Sequence, residues 1–278
     1  MKIFVIGYPG DLGGACTELW HTIKLWRSFD LDVHLIPTGK PPVRWRALVD
    51  GIGCATHEVV PEQLETLAEL PGSIGSSQPQ LEFLAQAHRF RELGCKLVWV
   101  NCMTWLFEAE RKIYTEQRLF DAFVFQSEFQ QAELEPQLEA YGYKPVHGHL
   151  IHGAFALDEL AFKPRSHEPN ETFVIGRMAR PDLDKWSSNT WPIYNSIQFA
   201  NKRAMMLGVD DRVQEKLGPN PPWADCLRPM AIPVSQFLSN LHCLMPINGG
   251  ARENWPRAGL EATPAFRSLP KTNGAGAR

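Results

Sequence analysis

Lys2-Ile3-Phe4-Val5-Ile6 runs directly into Gly7-Tyr8-Pro9-Gly10-Asp11-Leu12-Gly13-Gly14, with Val33-His34-Leu35-Ile36 further on. An apolar run that stops at a glycine-rich loop reads as a strand. The stretch from about Ala15 to Phe29 places Leu19, Ile23, Leu25 and Trp26 on one broad face at helical spacing, and Val33–Ile36 reads as a strand again. Strand, loop, helix, strand is the opening of a parallel α/β domain.

The pattern continues outward from this unit. Pro61 opens a helix, where its missing N–H costs nothing. A further helix is expected from about Pro79 to Leu93, ending at Gly94. Leu97–Val100 and Ala122–Phe125 read as strands, and Ser127-Glu128-Phe129-Gln130 as a capping-box start to a helix reaching Tyr141. Val146–Ile151 closes the set, and the proline- and charge-bearing stretch from Gly153 to Thr172 reads as a linker. The opening motif then recurs in outline: Phe173–Ile175 as a strand, Gly176 as a turn, and a helix near Trp191–Ala200. Ala204–Leu207 follows as a strand, Val234–Leu241 as a short helix and His242–Met245 as a strand running into Asn248-Gly249-Gly250. A helix is expected to begin near Pro256 and to carry Ala258, Leu260 and Glu261. The sequence thus predicts two Rossmann-like α/β domains with parallel sheets, over residues 1–165 and 166–262, and an irregular tail over 263–278.

Composition narrows the function. Of 278 residues, 44% are hydrophobic and 21% charged, with a formal net charge of -3, a soluble globular balance. Lys and Arg are scattered rather than clustered, which argues against nucleic acid as a partner. The N-terminal apolar run is too short for a signal-peptide core, and the apolar stretch Leu97–Phe107 is far short of a bilayer span. Cys16, Cys54, Cys95, Cys102, Cys226 and Cys243 show neither CxxC pairing nor metal-ligand spacing. They read as reduced, core-type residues of a cytoplasmic protein that holds no metal.

Three loops carry candidate chemistry. Gly7–Gly14, between strand and helix, lets backbone N–H groups approach a diphosphate at a helix N-terminus. Its spacing is neither GxGxxG nor a Walker A loop, and a tight turn needing positive φ accounts for the glycines equally well. Gly176-Arg177-Met178-Ala179-Arg180-Pro181-Asp182-Leu183-Asp184-Lys185 places three cations just beyond a strand, where open α/β sheets bind ligands. Such cations suit a diphosphate leaving group, while partnering by Asp182 and Asp184 would make the same segment a solvated basic loop. In Asn248-Gly249-Gly250-Ala251-Arg252-Glu253-Asn254-Trp255-Pro256-Arg257-Ala258-Gly259-Leu260-Glu261 the glycine pair, the two carboxylates and the proline suit the hydroxyls of a sugar. Surface glutamates favouring a helix N-terminus are the plainer alternative.

Glu253 and Glu261, with seven residues between them and preceded by Gly249-Gly250, resemble the E-x7-E signature of retaining glycosyltransferases of GT-B fold, in particular glycosyltransferase family 4. Arg177 with Lys185 resembles that family's phosphate-binding pair, and Gly13-Gly14 its N-terminal glycine loop. The three motifs occur in the family's order, over residues 1 to 262. The resemblance implies a UDP- or GDP-linked sugar donor, no cofactor, no metal, and an acceptor that is a glycan, a lipid or a small molecule, with peripheral membrane association left open. It implies that Glu253 holds the donor sugar and Glu261 the ribose, while Arg177 and Lys185 stabilise the departing diphosphate. Gly13 and Gly14 would approach the donor phosphates, and Arg180, Asn254 and Trp255 would join the donor site.

Departures from the pattern are also legible. The family often has a histidine after a middle strand of the first domain; here the segment reads Val100-Asn101-Cys102, leaving Asn101 as a candidate sugar contact. The Arg177-to-Lys185 spacing is longer than usual, so Arg180 competes as a phosphate ligand. Pro256 stands where the family commonly has glycine. Beyond Ala262 the family's continuing strands and helices find no counterpart in Thr263–Arg278, and the expectation is a truncated or frameshifted second domain of reduced activity. A non-catalytic nucleotide-sugar-binding relic is the alternative. A dinucleotide oxidoreductase is disfavoured, because neither glycine loop has GxGxxG spacing.

Overall fold

The computed structural model describes residues 1–10, 14–60, 62–63, 67, 74–77, 87–100, 102–114, 120–156, 165–250, 258–259 and 262. Chain packing divides them between two units, Met1–Ala156 and Leu157–Arg278.

The first unit begins with strand β1 (Lys2–Ile6), helix α1 (Gly14–Ser28), β2 (Asp32–Ile36), α2 (Val43–Gly51), β3 (Ala55–Thr56) and β4 (Ile74–Ser77). It continues with α3 (Ala87–Glu92), β5 (Lys96–Val100), α4 (Glu108–Tyr114), β6 (Ala122–Phe125), α5 (Glu128–Glu139) and β7 (Gly148–Leu150). The seven strands form one sheet in the order β3-β2-β1-β4-β5-β6-β7, and every pairing is parallel. Strand alternation splits the apolar runs between two cores. Ile3, Val5, Val33 and Leu35 pack with Leu19, Trp20 and Ile23 of α1 and with Trp45 and Val49 of α2. Phe4, Ile6 and Ile36 join Leu97, Trp99, Phe123, Phe125, Leu134 and Leu138 on the other face. A parallel sheet covered on both faces in this way explains why its strands read as almost unbroken apolar runs. Leu25, expected on the buried face of α1, is exposed. It lies two residues from the fully buried Ile23, a step that carries it round to the far side of the helix.

The second unit repeats the plan with β8 (Phe173–Met178), α6 (Thr190–Ser196), β9 (Lys202–Leu207), α7 (Asp211–Leu217), β10 (Ala224–Leu227), α8 (Val234–Ser239) and β11 (Cys243–Leu244). Among the described residues its sheet has four parallel strands in the order β10-β9-β8-β11. Ile175, Ala204 and Met206 pack with Trp186, Trp191, Tyr194 and Val213 on one face, and Val174 and Leu207 with Phe237, Leu238 and Leu241 on the other. In both sheets the first strand lies inside, and the chain reverses its direction of growth beside it, between β1 and β4 and between β8 and β11.

Two local expectations change. Gly176 is a strand residue paired with Met205, not a turn. A Cβ there would come within 2.9 Å of Leu241 Cγ, and nearer still to its methyl groups, so glycine serves close packing onto the segment after α8. The helix expected near Trp191–Ala200 stops at Ser196, where Ile197 turns to φ -69°, ψ 123°.

The six cysteines are free thiols, with Cys54 and Cys95 buried, and burial pushes the Cys54 thiol up to about 11. None of the described helices is long and apolar enough to cross a membrane. Among the described residues no group of three metal-ligating side chains gathers.

Candidate functional site

In open parallel sheets ligands bind beyond the carboxyl ends of the strands, where the strand order reverses. The second unit gathers two of the three motif loops at that place. Arg177 is the penultimate residue of β8, 2% exposed, with its guanidinium lying 4.9 Å over the Trp186 ring. Its Nη2 donates to the Lys185 carbonyl and, at 3.3 Å, to Asn248 Oδ1. Lys185 closes a short 3-10 turn, Leu183–Lys185, and is half-buried. The loop leaving β11 is laid against this turn: the Gly249 N–H donates to the Asp184 carbonyl at 3.0 Å. A Cβ on Gly249 would come within 2.9 Å of that same oxygen and 2.8 Å of the Trp186 carbonyl carbon, so only glycine permits the approach.

Tyr194 of α6 ties β8 to the residue that follows β11. Its hydroxyl donates to the Met245 carbonyl at 2.7 Å and lies 3.3 Å from the Gly176 carbonyl. Burial holds this phenol well above its ordinary pKa, against the opposing pull of the Arg177 charge, so the hydroxyl keeps its proton. Trp186 is fixed in turn by its indole N–H, which donates to the Arg180 carbonyl at 2.8 Å. Arg180 itself is exposed and ion-paired with Asp182 at 3.0 Å, as the solvated-loop alternative anticipates.

Residues 177, 180, 185, 248, 249 and 250 therefore share one end of one sheet. Arg177 sits deeper than its sequence position suggests: strand β8 extends through Met178, so the arginine lies within the strand rather than in the loop beyond it. Glu253, Asn254, Trp255, Glu261, Gly13 and Asn101 lie outside the described residues. Near the expected helix after Pro256, the Ala262 N–H donates to the Ala258 carbonyl at 3.2 Å, one helical turn back.

At the carboxyl end of the first sheet, Gly7 has φ +139° while its N–H donates to the Ile36 carbonyl at 2.9 Å, and Gly14 opens α1. The Gly7 turn thus has the positive φ that a tight turn requires. Beside it lies a polar network that sequence reasoning did not assemble. The Gln126 side-chain amide donates to the buried Glu18 carboxylate of α1, and His152 Nδ1 lies 2.8 Å from the Gln126 carbonyl. His21, also buried, accepts from the Ala156 N–H at 3.0 Å and stacks on Phe155. The expected capping box is half realised. Ser127 Oγ accepts from the Gln130 N–H at 3.1 Å, but Gln130 Oε1 accepts from Gln126 N–H rather than from Ser127. Gln130 Nε2 then reaches the Met103 carbonyl at 2.7 Å. The one available signal was position, since Gln126 directly follows an apolar strand and precedes an N-cap serine.

With this geometry in hand, likeness to solved structures is informative. HepE of Anabaena, solved in complex with UDP and glucose, superposes with a TM-score of 0.68 at 14% identity, over 94% of this chain and 78% of that one. A glycosyltransferase of Rickettsia africae gives 0.69 at 12% identity, over 94% and 76%. The fold is that of the GT-B glycosyltransferases. The lipopolysaccharide outer core galactosyltransferase WaaB, at 14% identity and TM-score 0.60 over 94% and 78%, shares this GT-B architecture. No family profile and no curated protein matches the chain. Within the GT-B fold, the cluster around Arg177 and Gly249 belongs to the second Rossmann-like unit and the network around Gln126 to the first.

Proposed function

We propose that this chain transfers a sugar from a nucleoside-diphosphate donor to an acceptor hydroxyl with retention of anomeric configuration, as family 4 enzymes do. The observation that carries the reading is the convergence of Arg177, Lys185 and Asn248–Gly250 at the carboxyl end of the second sheet, from segments far apart in sequence. Lys185 and Arg180 supply positive charge for a diphosphate whose negative charge grows as its bond to the sugar breaks. The Arg180–Asp182 pair is exposed, so exchanging its carboxylate for a phosphate costs little. Arg177 braces the Lys185 turn and the Asn248 loop, setting the spacing between them. Glu253, Asn254 and Trp255 hold the donor sugar, and Glu261 the ribose. In the transfer the acceptor oxygen bonds to the anomeric carbon as the carbon–phosphate-oxygen bond breaks on the same face, and the hydroxyl proton passes to the departing diphosphate.

These side chains provide the charge that a metal otherwise would, so turnover is expected to survive EDTA. The free thiols fit a cytoplasmic setting. UDP-glucose is the first donor to try, because HepE was solved with it.

Calorimetric titration with UDP, GDP and ADP, followed by proton NMR of the sugar released from the matching donor, tests the reading. One nucleotide binding preferentially, with α-glucose appearing first from UDP-α-glucose, is the expected result. Binding without turnover would make the chain a non-catalytic nucleotide-sugar module. Failure of all three nucleotides to bind would overturn the proposal.

A further inference from the structure

The five tryptophans of the first unit invite comparison. Trp20, Trp45 and Trp99 are buried in the two cores and Trp26 is half-buried against one of them, whereas Trp105 is 41% exposed. It lies in the loop that joins the carboxyl end of β5 to α4, the edge where this fold takes ligands. Phe107, two residues on, is 46% exposed and meets Trp105 edge to face, with ring centroids 6.2 Å apart at 72°. Between them Leu106 is 3% exposed and belongs to the core under the sheet. The chain thus buries the smaller side chain and displays the two larger aromatic ones.

The loop that carries them is fixed at both ends. Gln130 Nε2 donates to the Met103 carbonyl at 2.7 Å, and the Phe107 N–H donates to Glu110 Oε2 at 2.7 Å. The Glu110 contact is the returning half of a capping box, made to the N-cap residue of α4. An aromatic pair held in water by a braced loop forgoes burial that a mobile loop would recover. Such a surface has the character of a binding platform.

We propose that Trp105 and Phe107 form the stacking platform for a neutral sugar ring of the acceptor, an inference that rests on the glycosyl-transfer reading. Cys102-Met103-Thr104-Trp105-Leu106-Phe107 holds no charge, so it offers nothing to the phosphate of an anionic ligand. The first charge after it, the exposed Glu108, is ion-paired with Lys112 at 2.9 Å, so no net positive charge is offered there to an anionic lipid surface. A pyranose presents an apolar C–H face to an aromatic ring and keeps its hydroxyls in water or on polar groups such as Thr104.

The test uses the full chain and four probes: methyl α-glucoside, methyl β-galactoside, maltose and lactose. Saturation-transfer NMR measures their binding to wild type, Trp105→Phe, Trp105→Ala and Phe107→Ala, and calorimetry measures UDP on the same samples. At least one probe should bind saturably, weaken about fivefold or more with Trp105→Ala, and recover with Trp105→Phe. UDP affinity should stay level throughout. No probe binding, or unchanged binding to Trp105→Ala, would overturn the platform. So would Trp105-dependent partition onto phosphatidylcholine–phosphatidylglycerol vesicles, which would assign the pair to lipid. Sugar binding without any nucleotide binding would instead remove the glycosyl-transfer reading and leave the platform standing.

Discussion

Gly249→Ala isolates the contact on which the donor site depends. The added methyl would sit 2.8 Å from the Trp186 carbonyl carbon and 2.9 Å from the Asp184 carbonyl oxygen, both backbone atoms of the Asp184–Trp186 segment. Since no flexible side chain can yield there, the Asn248–Gly250 loop must withdraw by an appreciable fraction of an ångström. Withdrawal breaks the Gly249-to-Asp184 hydrogen bond, worth about 1 kcal/mol, and stretches the 3.3 Å contact from Arg177 to Asn248. Overpacking against fixed backbone adds about 1–3 kcal/mol, so the second unit should lose about 2–4 kcal/mol. Gly250→Ala is the control: its φ of +129° makes a side chain costly, but nothing lies within 4 Å of the added atom. Its penalty should stay near 1–2 kcal/mol, as rough backbone strain. Urea unfolding followed by tryptophan fluorescence, with Trp186 and Trp191 as reporters, gives the two losses, and UDP calorimetry gives the functional effect. UDP affinity should fall about tenfold or more for Gly249→Ala. Wild-type stability and UDP affinity in that variant would refute the packing on which the donor site is drawn.

Other substitutions separate support from charge. Lys185→Ala keeps the carbonyl that Arg177 uses, so UDP affinity should fall about tenfold while stability changes by less than about 1 kcal/mol. Arg177→Ala should instead destabilise the second unit by about 2–4 kcal/mol, through its hydrogen bonds to Lys185 and Asn248 and its position over Trp186, with urea unfolding as the measurement. Tyr194→Phe strands the Met245 carbonyl and should cost about 1–3 kcal/mol in the same assay. Acid should act through His242, whose side chain is 2% exposed and whose Nδ1 accepts from the Val174 N–H at 2.8 Å. Burial, then Arg165 and His167, lower its pKa, and Glu171 faces its other nitrogen at 3.3 Å. The unfolded chain therefore binds this proton more readily than the folded one. The stability it contributes is present above the ordinary histidine value near 6.5 and is lost as pH falls below it through the lowered one. Replacing His242 with Gln should flatten that acid slope in unfolding measured between about pH 7 and pH 5.

The elements that sequence reading found share a cause. β1, β2, β5, β6 and β9 are apolar on both faces, so their signal survives without context, and Ser127 announces α5 as an N-cap. The elements it missed lack that signature. β3 has only two residues, and β4 is Ile-Gly-Ser-Ser, a central strand whose identity comes from lying between β1 and β5. β10, Ala-Asp-Cys-Leu, is an edge strand with a polar face, and α7 is seven residues long with four of them charged. The site was legible as motifs and illegible as geometry. Arg177, Lys185 and Gly249 stood out in the chain, but nothing in their spacing shows that the arginine lies under the Lys185 turn. The Glu18–Gln126 pairing joins residues 108 positions apart, and only the fold brings them together.

The strand order has a consequence for how the chain is made. In each unit the strand synthesised first ends up inside the sheet, and its second neighbour comes much later in the chain. β8 is finished at Met178, yet the strand that pairs on its far side is Cys243–Leu244. While the ribosome reads through the intervening residues, one flank of β8 has unpaired backbone groups, and the face carrying Val174 waits for α8. The first unit reaches the same closure when Ile74–Ser77 pairs with β1. Counted in residues the two waits are alike, 67 between Ile6 and Ile74 and 64 between Met178 and Cys243, so each nascent unit passes through a similar window open to wrong pairings and to chaperones.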